Sequence, residues 1–358
     1  YFSITLNQIQ SMGVLYYLGF AIANACIIYS NQLWGVDQTV KIAISTACMG
    51  LFTMICSSHY LGFFVGWFLV CIGASSFFVL PNMILKATIS NTRILYQAYG
   101  TIIAAYTIGA CIGPVIVGIV CQLYHWKTVV ILQGLFGALL LIIIYQRGYK
   151  SQAKRTQTAI ESISQIQRHP MFVSLVLSVS NTSSYLVSIN FLMPMMLFHF
   201  YQSQPAFTGL CIFIANLAII LGSKITVISS LHQIQINQIS AIISWLALVT
   251  LVLSYLLMGY VTMFSIVLCF CLLGLCRGLS LPSILSLATD LIDADANVLM
   301  PLMMAYSVIP TLLIIQMIVH LPEHSVWAVA GFLTILSLMH FITSDRISKQ
   351  VLKTETVQ

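Results

Sequence analysis

Long apolar runs alternate with short polar breaks along the whole chain. A helical run of about 18 or more apolar residues is long enough to cross the hydrocarbon core of a bilayer, which is about 30 Å thick. Closed barrels also span membranes, but their strands show about ten residues of alternating polarity and no continuous run. The pattern therefore predicts an all-α membrane protein with about eleven transmembrane helices. The predicted helices cover residues 12–33, 42–57, 61–85, 98–122, 127–146, 171–200, 206–229, 239–259, 262–288, 297–320 and 324–343.

The composition agrees with lipid as the main solvent of this chain. Of the 358 residues, 59% are hydrophobic and 6% are charged, whereas soluble domains carry about 45–50% and about 25%. The chain shows no nucleophile elbow, phosphate-binding glycine loop or metal-ligand cluster. We therefore expect a protein that is not an enzyme and uses no cofactor and no metal. Its expected partners are a small-molecule substrate and membrane lipid, and we expect a monomer.

The basic residues predict the orientation in the membrane. Of the 14 Lys and Arg residues, all but Lys127 and Arg277 lie at or near breaks on one predicted side. The positive-inside rule assigns such a side to the cytoplasm. We therefore expect a multi-pass protein whose chain start is outside and whose tail is cytoplasmic. Basic collars beside membrane helices also argue against a nucleic-acid partner.

A polar linker at 147–170 divides five predicted helices from six. The predicted organisation is an N-terminal half-bundle (1–146), this linker, a C-terminal half-bundle (171–343) and a tail (344–358). An internal repeat crosses the divide at an offset of 201 residues: Gly73, Leu80, Pro81, Ala87 and Thr88 recur as Gly274, Leu281, Pro282, Ala288 and Thr289. Applied to the helix at 171–200, the same offset places its partner before Tyr1. The expectation is a twelve-helix protein from which the first helix is absent.

One predicted helix carries a glycine–proline motif, Gly109-x3-Gly113-Pro114-x3-Gly118, and His125-Trp126-Lys127 follows it. Small residues let membrane helices approach closely, and a proline inside a helix removes one backbone hydrogen bond. The motif resembles the antiporter motif of major facilitator drug–proton antiporters, and the resemblance is closest to the bicyclomycin-resistance branch. It implies two six-helix halves, alternating access and export across a bacterial inner membrane, with the proton as coupling ion.

A second motif of that family is only partly present. In the family, the loop after the second helix carries an acidic residue, a glycine and two basic residues, and it contributes to a charge latch. Here Gly35 and Asp37 remain, but an amide stands at the acidic position and no basic residue precedes Lys41. We expect this latch to be weaker or differently made.

Arg277 is the strongest single candidate for a substrate contact. It lies near the middle of an apolar helix, where a charge is expensive unless it meets water or a partner. The nearest acidic residue along that helix, Asp290, is thirteen residues away, or about 20 Å. We expect Arg277 to face a cavity and meet an anionic substrate group or an acid on the absent helix. The alternative is an arginine that reaches the membrane surface or pairs with a helix-end carbonyl.

Other polar residues on predicted helices are weaker candidates. One helix face carries Ser174, Ser178, Asn181, Tyr185 and Ser188, which predicts either a cavity wall or hydrogen bonds to another helix. Ser178, Asn181 and Tyr185, together with Asn24 and Tyr306, complete the predicted substrate site.

The sequence therefore predicts a secondary transporter that exports a small amphipathic compound by proton antiport. Two alternatives stay open at this point. One is uptake of a solute by the same fold. The other is a transport-inactive membrane protein that acts as a binding or sensing partner, because the loop motif is incomplete and no acidic residue lies in the middle of a predicted helix.

Overall fold

The computed structural model describes residues 6–147, 159–229, 231–292, 296–319 and 326–355. Helices joined by short turns make up these ranges, with no β-strand among them, so the predicted all-α class is confirmed. Residues 148–158 of the predicted linker and 356–358 of the predicted tail lie outside the described residues. The helices are α1 (Leu6–Cys56), α2 (Tyr60–Thr88), α3 (Thr92–Leu123), α4 (Trp126–Arg147), α5 (Ala159–Arg168), α6 (Phe172–Val187), a π-helical turn (Ser188–Leu192), α7 (Met193–Tyr201), α8 (Pro205–Ile228), α9 (Gln233–Met258), α10 (Met263–Leu291), α11 (Ala296–Val319) and α12 (Val326–Glu355).

Helix α1 contains two of the predicted helices. Its backbone is helical except at Gly35, which has φ 78° and ψ 170°. A straight helix of 51 residues would measure about 77 Å, more than twice the thickness of a bilayer core. The two arms before and after Gly35 are therefore separate membrane crossings. No residue other than glycine adopts this backbone conformation without strain.

The two arms of α1 pack against the same part of α2. A Cβ atom built on Gly19 would lie 3.0 Å from Cβ of Cys71, and one built on Gly73 would lie 2.6 Å from the backbone N of Ala47. Gly19 and Ala47 would be about 42 Å apart on a straight helix, yet both contact residues of one turn of α2. The chain therefore reverses its direction at Gly35.

Ten helical stretches in the described part of the chain are long and apolar enough to cross a membrane. The first of them, Met12–Cys56, holds both arms of α1, so the total agrees with the predicted number of crossings. Four predicted boundaries differ more than the rest. Helices α1, α3 and α9 begin at Leu6, Thr92 and Gln233, each six residues earlier than predicted, and α12 continues to Glu355, through most of the predicted tail.

The residue contacts divide the chain into two units. The first unit comprises residues 1–87, 123–168 and 294–312. Within it, Leu51, Met54 and Val130 form a buried cluster that joins the second arm of α1 to α4. The ammonium group of Lys127 donates to the carbonyl of Ile55 at 3.0 Å. This contact satisfies one of the carbonyl groups that the C-terminus of α1 leaves open.

The second unit comprises residues 88–122, 169–293 and 313–358. Helix α10 is its centre and packs against α6, α8 and α9. Nearly every residue of α10 from Leu273 to Thr289 is buried. Glycines bring two backbones together here, because a Cβ atom built on Gly222 of α8 would lie 2.6 Å from the carbonyl O of Leu275. Helix α10 is thus the element around which a buried site can form.

Candidate substrate site

Arg277 lies at the middle of α10. It lies fourteen positions after Met263 and fourteen before Leu291, so each end of the helix is about 21 Å away. Its side chain is 4% exposed, and its Nη1 donates to the backbone carbonyl of Thr182 on α6 at 2.5 Å. The side chain therefore does not extend towards an end of α10, and the partner carbonyl lies inside α6.

That carbonyl is the only hydrogen-bond partner of Arg277 among the described residues, and no ion pair involves it there. Its nearest acidic residue along α10, Asp290, lies about 20 Å away and accepts a hydrogen bond from Thr92 at 3.3 Å. A neutral carbonyl satisfies one of five guanidinium donors and leaves the charge unbalanced. The described protein thus supplies no counter-charge for Arg277.

The polar face of α6 makes hydrogen bonds to other helices. Asn181 Nδ2 donates to the hydroxyl of Tyr185 at 3.2 Å, and that hydroxyl lies 2.8 Å from Nδ1 of His340 on α12. The other ring nitrogen of His340 lies 3.0 Å from Oγ of Ser240 on α9. All four side chains are buried. For Tyr185, the structure therefore shows the interhelical alternative, whereas the bond of Asn181 stays within α6.

Two polar atoms on this face remain without a hydrogen-bond partner among the described residues. They are Oγ of Ser178 and Oδ1 of Asn181, and both residues are almost fully buried. Asn181 precedes Thr182, the residue that Arg277 contacts, and Ser178 lies one helical turn earlier. Unpaired buried polar atoms are uncommon in folded proteins and call for an explanation.

The predicted residues Asn24 and Tyr306 belong to the first unit and are bonded within it. Asn24 is fully buried on α1, and its Nδ2 donates to the carbonyl of Phe20 at 2.8 Å. Its Oδ1 has no partner among the described residues. The hydroxyl of Tyr306 on α11 accepts from Nε2 of Gln167 on α5 at 2.5 Å. A substrate role for Asn24 and Tyr306 stays a prediction.

The glycine–proline motif of α3 packs against α8, although not through all of its glycines. Cβ atoms built on Gly109 and Gly113 have nothing within 4 Å among the described residues, so a packing role for these two glycines stays a prediction. Gly118 does pack closely, because its built Cβ would lie 3.1 Å from the carbonyl O of Pro205. Gly209 of α8, which the motif did not indicate, lies against the carbonyl O of Pro114 at 2.7 Å from its built Cβ.

Pro114 also explains a hydrogen bond between α3 and α8. Proline has no backbone N–H, so the carbonyl four residues earlier, at Ala110, loses its helical donor. Asn216 of α8 donates to this carbonyl from Nδ2 at 3.1 Å. The side-chain amide therefore replaces the bond that Pro114 removes.

We expect Asn216→Leu to destabilise the protein by about 1–3 kcal/mol, because the partly buried carbonyl of Ala110 loses its donor. In a Pro114→Ala background the backbone N–H returns, and Asn216→Leu is expected to cost much less. Thermal unfolding of the two single variants and the double variant in detergent measures this coupling. Additive effects would contradict the replacement of one donor by the other.

The charged residues that follow Gly35 pair within one arm of α1. Asp37 forms an ion pair with Lys41 at 2.6 Å, and the ammonium group lies 4.9 Å from the ring centroid of Tyr145 on α4. The hydroxyl of Thr39 donates to the carbonyl of Gly35 at 2.9 Å. Lys41 thus supplies a basic partner for Asp37 that lies on the same arm.

A cavity of about 360 Å³ lies beside this reversal, between the two arms of α1 and the middle of α2. Its volume is within the range of small-molecule sites, about 300–1,000 Å³. Its walls are mainly apolar, with a few hydroxyl groups. Residues that line it include Cys26, Tyr29, Ser30, Trp34, Thr39, Ile72 and Ser76.

Sequence reasoning missed His340 and Ser240, which complete the hydrogen bonds of Tyr185. A signal for His340 was present, because it is an ionisable residue inside an apolar run and such residues mark functional or paired positions. Ser240 carried no comparable signal. Its predicted helix began at residue 239, and a serine at a helix end is ordinary.

Comparisons with known proteins agree with this architecture. The family described as the Major Facilitator Superfamily matches residues 1–311. The crystal structure of the human organic anion transporter MFSD10 (TETRAN) is similar, with a TM-score of 0.64 and 12% sequence identity, and the match covers 92% of this chain and 82% of that chain. At this identity the likeness shows the fold alone. No curated protein matches the sequence. The family match covers most of the chain, and this chain therefore belongs to the major facilitator superfamily, with the multi-pass fold of a secondary transporter.

Proposed function

We propose that this chain is a secondary transporter that exports a small amphipathic compound across a bacterial inner membrane while protons enter the cell. The supporting observation is the packing of the glycine–proline motif of α3 against α8. In the family branch that the motif resembles, it accompanies export by antiport. We propose membership of this branch, bicyclomycin resistance, for the same reason.

The interface between α3 and α8 suits helices that shift against each other during alternating access. Gly118 and Gly209 place small residues where the backbones approach, so few side chains interlock and a small displacement meets little resistance. Pro114 removes one helical hydrogen bond of α3, the one to Ala110, and Asn216 replaces the missing donor. A bond from a side chain can adjust to a displacement that a rigid helical bond would oppose.

Two features support an amphipathic compound. The cavity beside Gly35 is mainly apolar, whereas Arg277 offers a buried positive charge in α10. The human transporter of similar fold is described as an organic anion transporter, which is compatible with a cationic site. The distribution of Lys and Arg supports an orientation with the chain start outside and the tail cytoplasmic.

A transport-inactive binding partner is the second candidate, and one observation favours it. No acidic residue among those that the structure describes lies in the middle of a membrane-spanning helix, although a proton exchanger needs a group that binds and releases protons. Asp37 lies two residues after Gly35 and pairs with Lys41.

Everted membrane vesicles from cells that express the chain separate these functions. Respiration makes the vesicle lumen acidic, and a lumenal dye reports its pH. When an amphipathic compound is added to the medium, an exporter that exchanges it for protons carries the compound in and protons out. We expect the pH gradient to collapse several-fold faster than in vesicles that lack the chain.

Other outcomes identify the alternatives. A proton-coupled uptake carrier would move protons only when the compound is loaded into the lumen beforehand. A transport-inactive protein would give no response in either arrangement with any member of a panel of amphipathic acids, bases and neutral compounds. The Gly118→Leu variant is the matched control, since it separates α3 from α8 and should behave like empty vesicles.

A further inference from the structure

Arg277 is a buried cation whose described surroundings do not balance its charge. A guanidinium group has five N–H donors and no acceptor, and the described part of the chain provides one acceptor, the carbonyl of Thr182. Its side chain is almost fully buried. A charge in such a position is stable only if it is paired, hydrogen-bonded or hydrated.

The depth of Arg277 rules out lipid headgroups as its partner. The residue is at the midpoint of α10, about 21 Å from either end, and its guanidinium points to the middle of α6. Arginine side chains that reach the membrane surface do so from positions near helix ends. A group that enters the site can supply the counter-charge that the described residues do not provide.

The chemistry of the guanidinium group selects an oxyanion. Its planar fork matches two oxygen atoms of a carboxylate, and such paired hydrogen bonds are shorter and stronger than neutral ones. On the neighbouring helix, Ser178 Oγ and Asn181 Oδ1 are buried and without partners among the described residues. These two atoms can take hydrogen bonds from hydroxyl or N–H groups of the same ligand.

We propose that Arg277 binds the carboxylate of an organic anion, and that organic anions are the class of compound this chain transports. Only the statement that organic anions are transported rests on the proposed function. Binding at Arg277 does not depend on the direction of transport or on its coupling to protons. Ser178 and Asn181, on the helix that Arg277 contacts, are the candidate partners for polar substituents of the bound anion.

Isothermal titration calorimetry of the purified protein in neutral detergent tests the binding. The probes are 2-naphthoate and 2-naphthamide, which share their ring system and differ in charge. We expect 2-naphthoate to bind at least ten-fold more tightly than 2-naphthamide. Arg277→Gln should remove this preference. Arg277→Lys keeps the charge but loses the fork, so it should keep part of the preference.

Lys224→Gln is the control variant, because Lys224 is an exposed cation of α8 in the same unit and its loss should leave both affinities unchanged. Each variant is first checked for its melting temperature without ligand, so that a failure to fold is recognised. Equal binding of the two probes to the unmodified protein would overturn the proposal, whatever the variants do. So would full retention of the preference in Arg277→Gln. Failure of the vesicle assay with intact binding would contradict the proposed function and the transport of organic anions, but not the binding at Arg277.

Discussion

Gly278→Leu should prevent the second unit from folding stably. A Cβ atom at Gly278 would meet the carbonyl O of Ile219, the backbone N of Ser223 at 2.9 Å and the Cα of Gly222 at 3.0 Å. All three are main-chain atoms, which cannot move aside by a side-chain rotation. Overpacking of a core typically costs about 1–3 kcal/mol, and a whole leucine against fixed backbone should exceed that range. Thermal unfolding with size-exclusion chromatography in detergent measures the loss.

Gly331→Leu is the matched control for this substitution. Gly331 is an exposed glycine of α12, and a Cβ atom built on it has nothing within 4 Å among the described residues. Its melting temperature should stay within about 2 °C of the unmodified protein, since exposed substitutions usually change stability by less than 0.5 kcal/mol or so. If Gly278→Leu eluted as a sharp peak with an unchanged melting temperature, α8 and α10 would not be as close as described.

His340→Ala should cost about 3 kcal/mol or more. The substitution removes a partner from the buried hydroxyl groups of Tyr185 and Ser240, and each loss costs about 1–3 kcal/mol. It also leaves an empty volume between α6, α9 and α12, which the surrounding helices fill only partly. Thermal or denaturant unfolding of the purified protein gives the change in free energy.

A double-mutant cycle shows whether the cost arises from the described hydrogen bond. Tyr185→Phe alone leaves His340 Nδ1 without its partner, whereas the double variant Tyr185→Phe/His340→Ala has no such orphan. The sum of the two single losses in free energy of unfolding should therefore exceed the loss in the double variant by about 0.5–3 kcal/mol. His59→Ala, at an exposed histidine of the first unit, should be neutral. A coupling of zero would contradict the bond between Tyr185 and His340.

The membrane crossings were predictable because each depends on local composition. An apolar run of sufficient length has no other stable structure in lipid, and the boundaries of α4 and α8 agree with the prediction to within about one residue. The reversal at Gly35 was less predictable. We expected a loop over 34–41, but polar residues such as Gln38 stay helical and one glycine makes the turn.

The partners of side chains depended on the positions of distant helices. The spacing of Asn181 and Tyr185 predicts a polar face, but it fits a cavity wall and a helix contact equally well. His340, which decides between them, lies 155 residues from Tyr185. Gly113 and Gly118 likewise belong to one motif, and the sequence does not show which of them packs closely. Gly118 does so because Pro205 of α8 lies beside it.

The position of Gly35 has a mechanical consequence. One non-helical residue connects two membrane crossings, so the connection has no slack of the kind that a flexible loop provides. When one arm of α1 turns about its long axis, the torque reaches the other arm unless the φ and ψ angles of Gly35 absorb it. Rotation about those two angles is therefore the main backbone freedom between the two crossings. Inserting a short flexible spacer at this point would disconnect the rotation of one arm from that of the other while leaving both in the membrane.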